Sequence, residues 1–345
     1  MARPAIERTT DSLSPITPDG RVYAVPTLRD VFQARNVVQR YLPRTPMLRP
    51  AALAERLGFD LYLKCENLQP IGAFKIRGGI YLLSQMTPEE RAQGLYTAST
   101  GNHGQSVAYA AREFGARATI FAPEGANSVK VAAMERLGAR VVFHGPDFDT
   151  ARREAEERAN RDGAHFIHSA NEPDLIAGVA TYSLEMLEDV PELDVLVIPA
   201  GGGSGLSGGC IVGKTINPAL QVIGVQATGA PVIADSWRQR KLLAYDRMDT
   251  FAEGLATREA FALPAQIMWD HVDDFCLVSD AELRRAMVTL LETTRIVAEG
   301  AGAASFAAAY QLRSQLAGKK VGTVISGGNI TYDAFRQLVN EEQPW

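Results

Sequence analysis

A lysine in apolar surroundings is the first candidate for covalent chemistry. Lys75 lies between Phe74 and Ile76 in the segment 66–79. Apolar neighbours favour desolvation, which lowers the pKa of a lysine and makes its neutral amine available as a nucleophile. Arg77, two residues further on, is expected to lower that pKa again by charge repulsion. The alternative is a surface lysine whose aliphatic stem covers apolar side chains.

A run of glycines is the second candidate. It directly follows the strand-like segment 195–200 and precedes a helix-like stretch. Glycines let several backbone N–H groups point at one anion, and the N-terminus of a following helix adds the positive end of its dipole. Three consecutive glycines cost more chain entropy than a tight turn requires. We therefore predict a phosphate-binding loop made of Gly201, Gly202, Gly203 and Ser204.

A dinucleotide is the weaker interpretation of this loop. The spacing Gly203-x-Gly205-x-x-Gly208 satisfies the dinucleotide-binding pattern literally. That pattern also requires an acidic residue about 20 positions later, which binds the ribose. The next predicted strand ends instead in Gln226. An oxidoreductase that uses a nicotinamide cofactor is therefore a distant alternative.

Two further loops follow predicted strands. Residues 99–105 combine hydroxyl groups, glycine amides and the start of a helix, which suits a carboxylate, although Ser99 or Thr100 can equally be a plain helix cap. Residues 326–329 follow the strand-like segment 320–325. Ligands of parallel α/β sheets bind outside the C-terminal ends of the strands. The loops that start at residues 99, 201 and 326 are therefore expected to converge if their strands share one sheet.

Short β-branched or apolar runs alternate with amphipathic ones, which predicts βαβ units and a mainly parallel α/β fold. Glycines placed shortly before strands predict left-handed helix caps at Gly58, Gly115, Gly138 and Gly163. Helical patterns cover residues 28–42, 127–137, 149–161 and 172–187. The predicted strands are 60–63, 95–98, 118–122, 140–144, 165–168, 195–200, 221–226, 275–278 and 320–325.

The composition excludes several classes of protein. The 345 residues are 46% hydrophobic and 22% charged, which is typical of a globular chain, and their formal net charge is −5. Such a chain is not expected to bind nucleic acid or an anionic membrane, and it shows neither a transmembrane run nor a signal-peptide core. Three scattered cysteines fit a reducing compartment, so we expect a cytoplasmic protein. His165 and His168 are predicted to be structural, with no metal bound.

Five motifs, spread in order over residues 28–340, resemble those of one enzyme family. KCENLQ with GAFKIRGG, GNHGQSVAYAA, the glycine loop, FAEGL and SGGN are similar to the motifs of fold type II pyridoxal phosphate enzymes, above all the threonine/serine dehydratases (ammonia-lyases) and serine racemase. The resemblance implies a fold like the tryptophan synthase β chain, with two open, twisted, parallel-rich sheets. The cofactor, pyridoxal 5′-phosphate, would lie between a large domain (residues 1–93 and 171–345, with a polar tail at 1–22) and a small domain (residues 94–170).

The resemblance also implies roles for individual residues. Lys75 would form the Schiff base and act as general base at the substrate Cα, and Thr100 is the second candidate catalytic residue. The substrate carboxylate would bind at Ser99, Thr100, Gly101, Asn102 and His103. The cofactor would contact Phe74, Lys75, Asn102, Gly254, Glu299 and Ser326, and its phosphate would contact Gly201, Gly202, Gly203 and Ser204.

The implied reaction is β-elimination from a β-hydroxy-α-amino acid, which gives a 2-oxo acid and ammonia while the cofactor serves as electron sink. L-threonine or L-serine are the expected type of substrate. Ile71 stands where threonine is common in the family, and this change with others in residues 168–186 favours a larger side chain such as that of L-phenylserine. The resemblance further implies a homo-oligomer, either a dimer or a tetramer.

One departure from the family pattern, two alternative functions and the C-terminus lead to further expectations. Gln226 stands where some relatives carry a glutamate that binds a cation, so a Mg²⁺ or Ca²⁺ site is not expected. Thr100 stands where serine racemase has a serine on the opposite face of the cofactor, so racemisation is the nearest alternative activity. A catalytically silent binding protein is a further alternative. The chain ends at Trp345, so we expect no C-terminal regulatory domain and no feedback by isoleucine.

Overall fold

The structure of the chain is a computed structural model that describes residues 23–126 and 128–345. The polar tail predicted at residues 1–22 lies outside the described residues, and so does Asn127, the first residue of one predicted helix. Within the described ranges, helices and strands alternate along most of the chain. None of the helices in these ranges is long and apolar enough to cross a membrane.

Among the described residues, the larger of two sheets contains six strands and is parallel except at one edge. The edge strand β1 pairs antiparallel with β2, in the register Met47 opposite Lys64. The remaining pairs are parallel, with Val321 opposite both Leu61 and Val195. In hydrogen-bonded order the strands are β1 (Met47–Leu48), β2 (Asp60–Lys64), β10 (Lys320–Val324), β7 (Val195–Pro199), β8 (Gln221–Ala227) and β9 (Asp274–Val278).

The smaller sheet contains four parallel strands. All of them lie within residues 94–170, the range predicted for the small domain, although the division into domains itself stays a prediction. In order the strands are β5 (Arg140–Phe143), β4 (Ala118–Ala122), β3 (Leu95–Ala98) and β6 (His165–Phe166).

The predicted α/β fold with two parallel-rich sheets is confirmed, and each predicted strand overlaps a strand of the structure. Strand β1 is not predicted by the sequence, because two residues are too few for a periodic pattern. The predicted left-handed glycines are also confirmed, for example at Gly58 (φ 76°) and Gly163 (φ 66°), each of which ends a helix. Gly115 (φ 66°) and Gly138 (φ 91°) adopt the same conformation.

Helices cover the larger sheet on both faces. Val195 and Val197 of β7 contribute to one apolar core, whereas Leu196 and Ile198 contribute to the other, as the alternation of a strand requires. The helices are α1 (Leu28–Val38), α2 (Ala51–Leu57), α3 (Lys75–Gln85), α4 (Pro88–Ala92), α5 (Asn102–Glu113), α6 (Ser128–Arg136), α7 (Phe148–Asp162), α8 (Pro173–Asp189), α9 (Ser204–Ile216), α10 (Val232–Gln239), α11 (Ala262–His271), α12 (Asp280–Thr294), α13 (Gly300–Gln311) and α14 (Tyr332–Glu341).

Helix α3 connects the two sheets, because it packs against α5 beside the smaller sheet and against α8 beside the larger one. Two glycines permit this close packing. A Cβ built on Gly79 would lie 2.4 Å from Ser106 Oγ, and one built on Gly78 would lie 2.8 Å from Leu175 Cγ. Ser106 Oγ also donates a 2.6 Å hydrogen bond to the carbonyl of Lys75, the first residue of α3.

A buried ionic network fixes the start of α3. The Arg77 guanidinium donates to both carboxylate oxygens of Glu66, at 2.7 and 2.8 Å, and to both of Glu185, at 2.8 and 2.9 Å. Lys64 Nζ lies 2.6 Å from Glu185 Oε2. Two cations and two anions therefore balance inside the protein, and burial without such pairing would cost several kcal/mol per ion.

We predict that Glu185→Gln lowers the free energy of unfolding by about 3 kcal/mol, because it leaves Arg77 and Lys64 with one buried carboxylate between them. Chemical denaturation followed by circular dichroism measures the loss. Glu113→Gln is the matched control, since Glu113 pairs with the half-exposed Arg112, and a change below about 0.5 kcal/mol is expected. Equal effects of the two substitutions would contradict the importance of the network.

Candidate active site

Lys75 is the first residue of α3; its side chain is half-buried, and its amine lies among polar partners. Nζ donates hydrogen bonds to the Ser169 carbonyl at 3.1 Å and to Ser204 Oγ at 2.8 Å. Burial lowers the pKa of Lys75 to about 8. Arg77 does not lower the pKa of Lys75 as expected. The charge of Arg77 is balanced by Glu66 and Glu185, which surround it. The predicted desolvated amine is thus present, with burial as its cause.

The glycine loop joins β7 to the N-terminus of α9. Gly203 has φ 91° and precedes Ser204, where the helix begins. A Cβ on Gly201 would lie 2.0 Å from the Gly254 carbonyl oxygen, so the two backbone segments touch. The first N–H groups of a helix have no partner within the helix. The loop therefore offers backbone donors and a positive helix end beside the Lys75 amine.

The loop after β10 lies next to the lysine segment. The Phe74 N–H donates to the Ser326 carbonyl at 3.0 Å, and Ser326 Oγ, which is buried, donates to the Ala301 carbonyl at 3.2 Å. The Phe74 ring packs edge-on against Tyr182, with 5.7 Å between ring centroids. Ser326 and Phe74 are therefore held beside Lys75 by backbone contacts.

Three polar side chains join the loop after β3 to the loop after β10. Asn102 Nδ2 donates to Glu299 Oε1 at 2.7 Å, and Asn329 Nδ2 donates to Asn102 Oδ1 at 2.7 Å. Burial raises the pKa of Glu299, while the charge of Lys130 and the hydrogen bond from Asn102 act in the opposite direction. These two hydrogen bonds hold the Asn102 side-chain amide in place, because its nitrogen and its oxygen each bind one partner.

The residues predicted to bind a carboxylate form the Ser99 loop (residues 99–103), at the start of α5. Ser99 Oγ accepts hydrogen bonds from the N–H groups of Gly101 at 3.0 Å and Gly104 at 2.8 Å, so this hydroxyl caps the helix. Thr100 is half-buried. The buried His103 ring lies 2.9 Å from Thr97 Oγ1 through Nε2, and burial lowers its pKa to about 3. The loop thus offers its backbone N–H groups as donors, and the Ser99 hydroxyl keeps its own O–H beside the two bonds that it accepts.

The predicted convergence of the three loops occurs, but by a different route. The loops at 201 and 326 follow neighbouring strands of the larger sheet, whereas the loop at 99 follows β3 of the smaller sheet. The contact between Asn102 and Glu299 brings the third loop to the other two. The packing of α3 against both α5 and α8 makes this meeting of two sheets possible.

The two histidines singled out in the sequence differ in their surroundings, because His165 is exposed and His168 is half-buried. His168 Nδ1 accepts from the N–H groups of Ala170 and Asn171, both at 3.0 Å, and burial lowers the pKa of His168 to about 3. Burial also lowers the pKa of His165. Within residues 23–126 and 128–345, no group of three or more His, Cys, Asp or Glu side chains is arranged to hold a metal ion.

Sequence reasoning missed several parts of the site. Asn329 belongs to the SGGN motif, so its position was a signal that it borders the site. The Ser169 carbonyl is a backbone group, which no residue type announces. Lys130 of α6 pairs with Glu253 and lies beside Gly101, although 123 positions separate the two charged residues in the chain. Only the fold brings such residues together.

The residues fit pyridoxal phosphate. A buried amine with a lowered pKa lies within hydrogen-bond distance of the helix that follows the glycine loop, so a carbonyl group and a phosphate on one small molecule find partners in one place. A parallel α/β scaffold with this site defines a cofactor-dependent enzyme. Residues 38–327 match the family model described as "Pyridoxal-phosphate dependent enzyme", and the chain belongs to that family.

Curated relatives and solved structures agree with this assignment. The chain is 38% identical to L-threonine ammonia-lyase of Thermotoga maritima, over 91% of this chain and 78% of the relative. It is 34% identical to L-threo-3-hydroxyaspartate ammonia-lyase of Saccharomyces cerevisiae, over 92% and 98%. The structure of maize serine racemase is similar with a TM-score of 0.87 and 29% identity, over 92% of this chain and 98% of that one.

We predict that the apoprotein captures pyridoxal phosphate faster as the pH rises through about 8. A lowered pKa means that the neutral, nucleophilic amine of Lys75 predominates above that pH. The growth of visible absorbance after mixing measures the rate. Lys75→Ala should show no such absorbance, and Lys319→Ala, at a half-buried lysine whose Nζ donates to Gln221 Oε1, should behave as the unaltered protein. A midpoint near the ordinary lysine value of 10.5 would contradict the desolvated amine.

We predict that Gly201→Ala weakens the binding of pyridoxal phosphate about tenfold or more, because its Cβ would overlap the Gly254 carbonyl and displace the loop. Equilibrium titration of the apoprotein gives the dissociation constant. Gly202→Ala is the matched control, since its Cβ would meet Ala170 Cβ at 3.3 Å and needs a smaller adjustment. A larger loss at Gly202 than at Gly201 would rule out this account of the loop.

Proposed function

We propose that the chain is a pyridoxal-phosphate-dependent ammonia-lyase that converts a β-hydroxy-α-amino acid to a 2-oxo acid and ammonia. The observation that carries the proposal is the buried Lys75 amine, 2.8 Å from Ser204 Oγ at the N-terminus of α9. The relatives named above are ammonia-lyases that act on threonine and on 3-hydroxyaspartate, both β-hydroxy amino acids. The substrate type is taken from these relatives and from the motifs.

Each side of the cofactor has a proposed partner. Gly201, Gly202, Gly203 and Ser204 hold the phosphate, with the positive end of α9 behind it. Asn102, Gly254 and Glu299 would border the ring edge, Phe74 would pack beside it, and Ser326 would face the pyridine nitrogen. When bound, the cofactor supplies an electron sink for the negative charge that develops at the substrate Cα.

Lys75 is the proposed general base. Its pKa of about 8 leaves a substantial neutral fraction near neutral pH, so its Nζ can accept the proton from Cα. The backbone N–H groups of the Ser99 loop and the positive end of α5 bind the substrate carboxylate. Since Ser99 Oγ already occupies the Gly101 N–H, the donors that remain are those of Thr100, Asn102 and His103.

The residue at the pyridine nitrogen favours elimination. Ser326 is a neutral hydroxyl, whereas a carboxylate at this place would stabilise a protonated ring nitrogen. In this structure the Ser326 O–H donates to the Ala301 carbonyl, so it would have to turn away from that carbonyl to donate to the nitrogen. A cofactor beside a neutral hydroxyl would be a weaker electron sink than one beside a carboxylate, which favours the lyase over chemistry that requires a long-lived carbanion.

Racemisation is the alternative activity that a specific observation favours. The similarity to the structure of maize serine racemase extends over most of both chains. Thr100 also keeps a hydroxyl at the position where the resemblance implies the serine of serine racemase. A racemase would return D-serine from L-serine, whereas a lyase would not. Chiral analysis of unreacted serine distinguishes the two.

Three finer statements belong to the same proposal. A homo-oligomer in the cytoplasm follows from the family resemblance and the cysteine content and is tested by mass measurement and cell fractionation.

L-phenylserine is proposed beside L-threonine and L-serine because of Ile71, which is buried next to the lysine segment. Turnover of threonine that equals or exceeds that of phenylserine would remove the preference for an aryl side chain.

We predict 2-oxo acid release from at least one of L-serine, L-threonine, L-phenylserine and L-threo-3-hydroxyaspartate, and its loss in Lys75→Ala. Lys75 is proposed as both nucleophile and general base, so its removal should lower kcat by about 10³-fold or more. A coupled dehydrogenase assay of the 2-oxo acid measures the rate. A protein that needs Lys75 for its visible absorbance yet releases no 2-oxo acid would keep the cofactor and refute the lyase.

A further inference from the structure

Lys130 places a positive charge at the edge of the site. It lies on α6, and a Cβ built on Gly101 would meet its Cδ at 3.6 Å and its Nζ at 3.7 Å. Its ammonium forms an ion pair with Glu253, the residue before Gly254. The side chain is 11% exposed, so its stem is held against the Ser99 loop rather than free in solvent. The charge therefore stands between the Ser99 loop and Gly254.

The partner of Lys130 is replaceable. The Glu253 side chain is 50% exposed, and an ion pair with a solvated member contributes little to stability. Glu299, the other carboxylate that senses Lys130, is buried and occupied by Asn102. A carboxylate that arrives from the site can therefore exchange with Glu253 at small cost.

Four other titratable side chains near the site, Arg77, Lys75, His103 and His168, are committed elsewhere or neutral. Arg77 is enclosed by Glu66 and Glu185. Lys75 serves the cofactor in the proposed function, and His103 and His168 are neutral near pH 7 because burial lowers their pKa. The α-carboxylate has the backbone donors of the Ser99 loop. A second carboxylate on the substrate would need a separate cation, and Lys130 is placed to supply it.

We infer that Lys130 determines specificity by binding the side-chain carboxylate of a dicarboxylic β-hydroxy amino acid, of the 3-hydroxyaspartate class, in exchange for Glu253. The inference rests on the proposed function and names the substrate class of that same site. It assigns Glu253 a second task, which is to neutralise Lys130 when a substrate without a side-chain charge is bound.

The test compares L-threo-3-hydroxyaspartate with L-threonine in Lys130→Gln, Glu253→Gln and the control Lys319→Gln. Lys130→Gln should lower kcat/KM for hydroxyaspartate about 10- to 100-fold, the usual effect of losing a hydrogen bond to a charged group, and change that for threonine less than about threefold. Glu253→Gln should raise the ratio of hydroxyaspartate to threonine turnover, because the cation loses its competitor. Lys319→Gln should leave both values unchanged.

A binding measurement separates this inference from the proposed function. L-aspartate and L-alanine lack a β-hydroxyl, and their binding to holoenzyme is followed through the change in visible absorbance. Lys130→Gln should weaken L-aspartate about tenfold or more while L-alanine changes little. Failure of all turnover with this difference intact would refute the lyase alone. Equal losses for both ligands and both substrates, or turnover of threonine but not of hydroxyaspartate by the unaltered enzyme, would refute the role of Lys130.

Discussion

The guanidinium of Arg77 between Glu66 and Glu185 is the constraint on which the site depends. Arg77 and Lys75 are two positions apart on α3, which turns their side chains to nearly opposite sides of the helix. One side is tied to the segment after β2 and to α8, and the other faces the glycine loop. The ionic network thus fixes the position and the rotation of α3, and with them the direction in which the reactive amine points.

The same network keeps the charge of Arg77 from acting on the amine. An unpaired guanidinium two residues away would repel a charged lysine and lower its pKa. Because Glu66 and Glu185 neutralise Arg77 and Lys64, burial alone accounts for the pKa of about 8. The ion pairs therefore hold the helix and screen the Arg77 charge, whereas burial lowers the pKa of the amine.

Local patterns made much of the fold and the site predictable. Strands of the larger sheet are buried on both faces and appear as short apolar runs, and glycines after α2 and α7 mark where those helices end. The glycine loop and Lys75 carry their chemistry within a few residues, so their types and spacing suffice. What could not be predicted arises from contacts between distant segments. Asn102 follows β3 of the smaller sheet. The hydrogen bond of Asn102 to Glu299, 197 positions away, depends on how α3 packs. The ion pair of Lys130 with Glu253 has the same origin.

Gln226 shows how a departure from the family pattern is accommodated. The residue is fully buried at the end of β8, and its Oε1 accepts hydrogen bonds from the N–H groups of Ile233 and Ala234, both at 2.9 Å. These donors belong to the first turn of α10, where backbone N–H groups lack helical partners. A carboxylate here could accept the same two bonds, but it would add a buried negative charge that requires a cation nearby. The amide performs the structural task without a charge. The position therefore serves to attach α10 to the sheet.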